Sequence, residues 1–162
     1  MSCLDSERTT SSPYLLDPRN PREKQMRSRS KRNTHKSDSI TTKSVLIVED
    51  EALVAENLRE FIEQAGYQVT AVLATGEEAI RSIIKNPADL ILMDVRLGGR
   101  LTGIETIDLI HHRIKKIPVI FMSAFAEELF PAIAKIHASL YRYVAKPYKE
   151  EELEVIIRGI LA

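Results

Sequence analysis

The sequence predicts an α/β fold, a five-stranded parallel sheet with helices on both faces. Short runs of Val, Ile, Leu and Met recur without polar alternation, as strands buried on both faces require. Between them lie apolar residues at helical spacing, and each of the first two helical stretches ends in a residue or pair that stops helices, Gly66 and Asn86-Pro87.

VLIV at 45–48 is the first strand, and Leu53, Val54, Leu58, Phe61, Ile62 and Ala65 mark the helix after it. Gln68–Leu73 is a β-branched second strand. Thr75 offers an N-cap, and Ala79, Ile80, Ile83 and Ile84 form the stripe of the second helix. LILM at 90–93 is the third strand, followed by a helix carrying Ile104, Ile107, Ile110 and Ile114. PVIFM at 118–122 is the fourth, with proline at its first position, where a missing donor is tolerated. Residues 127–137 read as a fourth helix, provided that Pro131 lies in its first turn. Tyr141–Ala145 is the fifth strand, and Leu153, Ile156, Ile157, Ile160 and Leu161 give a fifth, closing helix. His111 and His112 on the third helix read as surface residues without a role.

With 162 residues, the chain has room for one domain and an extension. The 23 Lys+Arg and 23 Asp+Glu cancel, but unevenly along the chain. Residues 1–43 hold 10 basic and 5 acidic side chains and residues 44–162 hold 13 and 18, so the two segments stand at +5 and −5. The first is rich in Ser, Arg, Lys and Pro and lacks apolar periodicity, so it is expected to be a basic, disordered extension. It reads as a solvated tail, as upstream sequence with initiation nearer Met26, or as a regulatory or nucleic-acid-contacting arm. The acidic body argues against nucleic-acid binding except through that tail.

Cys3 is the one cysteine, which excludes an internal disulfide and thiolate metal sites of the Cys₂His₂ kind. No N-terminal stretch has the form of a signal peptide, and no apolar run approaches the ~20 residues of a membrane span. A cytoplasmic protein without membrane contact is the expectation. Nothing resembling a linker or effector domain follows the closing helix, so a stand-alone module is expected.

In open parallel sheets ligands bind beyond the carboxyl ends of the strands. The first strand ends in Glu49 and Asp50, the third in Asp94, the fourth in Ser123 and the fifth in Lys146-Pro147. In a flavodoxin-like, doubly wound order 2-1-3-4-5, the three acids project at the switch point between strands one and three. Carboxylates so gathered call for a divalent cation with hard oxygen ligands, Mg²⁺ before Zn²⁺. The Glu49-Asp50-Glu51 turn would repel a dinucleotide pyrophosphate, whereas a Mg²⁺ held by one or two carboxylates keeps open positions for phosphoryl oxygens, so the chemistry points to phosphoryl transfer. Asp94 is placed to attack phosphorus, Lys146 to balance the charge, and Ser123 to donate to the attached group.

These residues resemble the receiver domain of two-component response regulators. The likeness spans residues 44–162 and rests on VLIVEDE at 45–51, LILMD at 90–94, MSA at 122–124 and YVAKP at 143–147. It implies that Asp94 accepts phosphate from a phosphohistidine of a sensor histidine kinase or histidine phosphotransfer protein. Asp50, Asp94 and the Arg96 carbonyl would ligate Mg²⁺, with Glu49 holding metal-bound water, and the Lys146-Pro147 bond would be cis. Ser123 and Tyr143 would form a switch, changing contacts with a downstream protein target. A homodimer through the fourth-helix, fifth-strand and fifth-helix face is also implied.

Three features depart from the family's pattern, one of them Ser139, which stands where a helix-ending glycine is common. Glu49 stands where Asp is commoner, and the loop RLGGRLTG at 96–103 is one residue longer and lacks the usual proline. Beyond its own Mg²⁺-dependent aspartyl phosphorylation and dephosphorylation, no independent substrate turnover is expected. Alternatives are a phosphate shuttle or sink in a phosphorelay and a nucleic-acid-binding regulator acting through the tail.

Overall fold

β1 (Ser44–Val48), β3 (Leu90–Asp94) and β4 (Val119–Ser123), the most apolar runs in the chain, form the middle of the sheet. β2 (Gln68–Leu73) and β5 (Tyr141–Ala145) carry more polar side chains and lie at its edges. The computed structural model describes residues 42–124 and 139–162. All strands are parallel, in the order β2-β1-β3-β4-β5, the flavodoxin-like arrangement the sequence predicts. The expectations for the 127–137 helix and nearly all of the N-terminal extension lie outside the described residues.

Because successive side chains of a strand point to opposite faces, each central strand feeds two cores. Leu46, Val48, Ile91, Met93, Val119 and Phe121 pack on one side with Ala79 and Ile83 of α2 (Gly76–Lys85) and with Ile107 and Ile110 of α3 (Gly103–Arg113). Val45, Ile47, Leu90, Leu92, Ile120 and Met122 pack on the other with Leu58 and Ile62 of α1 (Ala52–Gln64) and with Leu153, Ile157 and Leu161 of α4 (Glu150–Leu161). Among the described residues no helix is long and apolar enough to cross a membrane.

Both α2 and α3 start on reciprocal capping boxes. Thr75 accepts from the Glu78 N–H, and Thr102 does the same for Glu105, while each glutamate reaches back to the cap. The Thr75 cap matches the sequence reading, whereas the Thr102 cap, announced by the T-x-x-E spacing, was not part of it. Gly66, at φ +89°, lets the chain leave α1 for β2, as expected of a stop residue.

The apolar stripes are narrower than predicted. Leu53 and Ile84 lie on the outer margin of their helices and are exposed, and Ile114 is exposed at the C-cap of α3. Pro118 immediately precedes β4 rather than opening it.

His111 is a larger correction: it is buried, although its neighbour His112 is exposed. Its Nε2 lies 2.8 Å from the Ile117 carbonyl oxygen and 3.3 Å from the Ile117 backbone nitrogen. Nδ1 lies 3.0 Å from the Tyr141 hydroxyl, and the two rings stack at 5.3 Å. The imidazole thus joins α3 to the approach to β4 and to β5. His111→Ala is expected to lower stability by about 2 kcal/mol, because it orphans a buried carbonyl and opens a void. Urea denaturation of the variant checks this.

Candidate functional site

Parallel pairing carries the last residues of four strands to one rim. Asp94 pairs with Met122 and Ser123 with Ala145 across the central ladders. The ladders continue past the strands: the Val95 N–H donates to the Met122 carbonyl at 3.1 Å, and the Lys146 N–H to the Ser123 carbonyl at 2.9 Å. On the β1 side the Glu49 N–H donates to the Leu73 carbonyl at 2.9 Å. The backbone therefore fixes where Glu49, Asp94 and Lys146 stand before any side-chain contact is considered.

Glu49 and Asp94 are buried, at 3% and 8% exposure, while Asp50 faces solvent. One carboxylate oxygen from each of the three lies within 4.8 Å of the others. Lys146 Nζ spans two of them, donating to Asp94 Oδ2 at 2.5 Å and to Glu49 Oε2 at 2.6 Å. The Arg96 N–H donates to Asp94 Oδ1 at 2.9 Å, so both oxygens of the central acid are oriented. Three acids against one ammonium leave the rim short of positive charge. Hard oxygens gathered at this spacing form a pocket suited to a divalent cation.

The shared ammonium shapes the electrostatics. Burial and the nearby Asp94 charge raise the Glu49 pKa, outweighing the hydrogen bond from Lys146. Burial opposes the charge on Lys146, but its hydrogen bonds to Asp94 and Glu49 and their charges prevail and raise its pKa. The Lys146-Pro147 bond is cis, as the family resemblance implies.

Ser123 is buried at the end of β4, and its carbonyl accepts from the Tyr143 hydroxyl at 2.7 Å. Tyr143 is half-buried and packs against the core on the α2 and α3 side of the sheet. An open groove of about 600 Å³ adjoins Lys146, lined by Val54, Phe61, Ala124, Pro147 and Tyr148 among others.

The structure brings Glu49, Asp50, Asp94 and Lys146 into one cluster, with the Arg96 backbone on Asp94 and Ser123 joined to Tyr143 beside it. The sequence reading did not identify the bridge from Lys146 to Glu49, or Gly103. A Cβ on Gly103 would stand 2.1 Å from the Asp94 carbonyl oxygen, so α3 begins directly against the backbone of the central acid.

Residues 45–158 match the model of the response regulator receiver domain. The chain is 31% identical over 118 residues to the transcriptional regulatory protein YvrH of Bacillus subtilis, covering 73% of this chain and 48% of YvrH. It is 29% identical over 120 residues to the transcriptional regulatory protein PdtaR of Mycobacterium tuberculosis, covering 74% and 57%. The chain thus spans about half the length of these relatives. Among solved structures, it is similar to the signal receiver domain of a modulated diguanylate cyclase from Desulfovibrio desulfuricans, at 33% identity and a TM-score of 0.65, over 74% of this chain and 94% of that one. It also resembles the receiver domain of the sensor histidine kinase PA1611 of Pseudomonas aeruginosa, at 28% identity and a TM-score of 0.62, over 75% and 99%, in which a magnesium ion is coordinated in the active-site cleft.

Proposed function

The chain belongs to the response regulator receiver family, and from that premise we propose that it accepts a phosphoryl group on Asp94 from a phosphohistidine of a sensor histidine kinase or phosphotransfer protein. The observation that supports this most is the double contact of Lys146 with Asp94 and Glu49 over a buried acid at the centre of the rim. An Asp94 oxygen attacks phosphorus and forms a P–O bond. The P–N bond to the donor imidazole breaks, and its electron pair leaves with the ring nitrogen, which takes a proton from water. Lys146, already on Asp94, stands where the oxygens of the arriving group gather and balances their charge.

The donor set fits Mg²⁺: hard carboxylate oxygens with one solvent-facing member, Asp50. Asp50, Asp94 and the Arg96 carbonyl would hold the ion, with Glu49 acting through water. When bound, Mg²⁺ supplies further charge neutralisation for the transferring phosphoryl group. The groove beside Lys146 offers the donor protein a partly apolar surface next to the acceptor.

Ser123 and Tyr143 would carry the output. A displacement of the Ser123 segment toward the new phosphoryl group is passed to Tyr143 through the carbonyl that its hydroxyl engages. The face of β5 and α4 then changes for a downstream protein or a second copy of the chain. We read residues 44–162 as this receiver, residues 1–43 as a separate basic extension, and the setting as the cytoplasm.

Beryllofluoride, which mimics a phosphoryl group on a carboxylate, provides the test. The chain has no Trp and 5 Tyr, so tyrosine fluorescence reports the switch. A Mg²⁺-dependent change is expected in the wild type and none in Asp94→Asn. A silent wild type, or an equal response from both, would contradict the assignment.

A further inference from the structure

The loop from β3 to α3 carries Arg96 beside the phosphoacceptor and continues through Leu97, Gly98, Gly99 and Arg100. Gly98 lies against the metal-site acid: a Cβ there would be 3.3 Å from Asp50 Oδ2. The next residue lies against a different acid, since a Cβ on Gly99 would be 2.6 Å from Glu77 Oε2. The other oxygen of Glu77 accepts the Arg100 N–H at 3.0 Å. Two successive glycines thus let the loop pass between Asp50 on one side and Glu77 on the other.

Glu77 is itself firmly placed. It belongs to the first turn of α2, which the Thr75 box caps. The helix start is pressed onto its neighbour, because a Cβ on Gly76 would fall 1.9 Å from Thr106 Oγ1 and 3.2 Å from Leu101 Cβ. Thr106, wholly buried on α3, is held in turn by its hydrogen bond to the Thr102 carbonyl at 2.8 Å. Glu77 Oε2 is buried and, among the described residues, has no hydrogen-bond partner. Keeping a carboxylate oxygen in that state costs free energy, so its position calls for a reason beyond local stability.

We propose that Glu77 is a positioning residue for the proposed phosphoryl-transfer site, a post that holds the β3–α3 loop against Asp50 and thereby sets the place of the Arg96 carbonyl. This rests on the phosphoacceptor reading above and extends it to a residue on another element that touches neither Asp94 nor Lys146. It also explains how the long, proline-free loop is held: an external carboxylate takes the Arg100 N–H, and consecutive glycines make room for it.

The test is Mg²⁺ binding by calorimetry, combined with hydrogen exchange of the Arg100 amide. Glu77→Ala should weaken Mg²⁺ binding by about tenfold, the scale seen when an outer support of a metal ligand is removed. It should also speed Arg100 exchange while the melting temperature changes little. Glu77→Gln keeps an acceptor oxygen and should recover most of the affinity. Gly99→Ala should weaken Mg²⁺ binding more in the wild type, where Glu77 Oε2 would stand 2.6 Å from the new methyl, than in Glu77→Ala, where Thr75 Cβ at 3.2 Å is the neighbour that remains. A merely structural glutamate would not produce that dependence.

Unchanged Mg²⁺ affinity in Glu77→Ala overturns the proposal, as does a Gly99→Ala effect that is the same in both backgrounds. Acetyl phosphate labelling of the wild type runs alongside. Labelling with unchanged affinity in Glu77→Ala overturns only the role of Glu77. Weakened binding in Glu77→Ala without labelling of the wild type supports the post and overturns the phosphoacceptor reading. A wild type that binds no Mg²⁺ overturns both.

Discussion

Lys146→Ala is expected to slow labelling of Asp94 by acetyl phosphate about a hundredfold, the usual loss when a preorganised charge is removed from a developing anion. The substitution takes away the ammonium that donates to both Asp94 and Glu49. Lys146→Arg should recover little, because a planar guanidinium does not reproduce a compact charge held between two acids. A stability effect accompanies the kinetic one. Glu49 and Asp94 are left as two buried carboxylates without their shared cation, and about 2 kcal/mol should be lost, below the 3–5 typical of a fully buried pair because Lys146 is partly solvated. The pH dependence has a definite sign. Since the Lys146 pKa is raised in the fold, its stabilising contribution is complete below the ordinary lysine value, about 10.4, and is lost as pH climbs through the raised one. Stopped-flow labelling and urea titration at neutral and alkaline pH read both effects.

Gly103→Ala is expected to cost about 3 kcal/mol, the upper range for forcing a methyl into a filled space. Its Cβ would meet the Asp94 carbonyl oxygen at 2.1 Å and Met93 Cγ at 2.9 Å, and the first of these is backbone that cannot swing aside. The higher helix propensity of Ala offsets at most about 1 kcal/mol. Gly159 in α4 provides the contrast, because a Cβ there meets nothing within 4 Å. Gly159→Ala should therefore stabilise the protein by about 0.5 kcal/mol. Chemical denaturation of the two variants should give opposite signs. A labelling defect in Gly103→Ala under conditions where it remains folded would show that the start of α3 also sets the Asp94 backbone.

What the sequence reveals and what it hides divide along physical lines. The central strands are legible because burial on both faces leaves an uninterrupted apolar run, and their last residues name the rim, from Glu49 and Asp94 to Lys146. Helix positions are legible through their stripes, but the edges of a stripe are not. Whether Leu53 or Ile84 is covered depends on how wide the neighbouring layer is, and periodicity carries no record of that. His111 shows a similar limit. Its burial depends on Tyr141 in β5 and on the Ile117 carbonyl, partners fixed by tertiary packing. The Lys146 contact with Glu49 and the place of Glu77 against Gly99 are of the same kind, since each joins residues far apart in sequence. The Thr102 cap is different: T-x-x-E was readable at 102–105.

The most direct measurement is the intact mass of the protein after incubation with Mg²⁺ and acetyl phosphate, set beside that of Asp94→Asn. Asp94 as phosphoacceptor predicts one phosphoryl adduct on the wild type, dependent on Mg²⁺ and sensitive to hydroxylamine as an acyl phosphate should be, and none on the variant. An adduct that persists in Asp94→Asn, or a folded wild type that never acquires one, would contradict it.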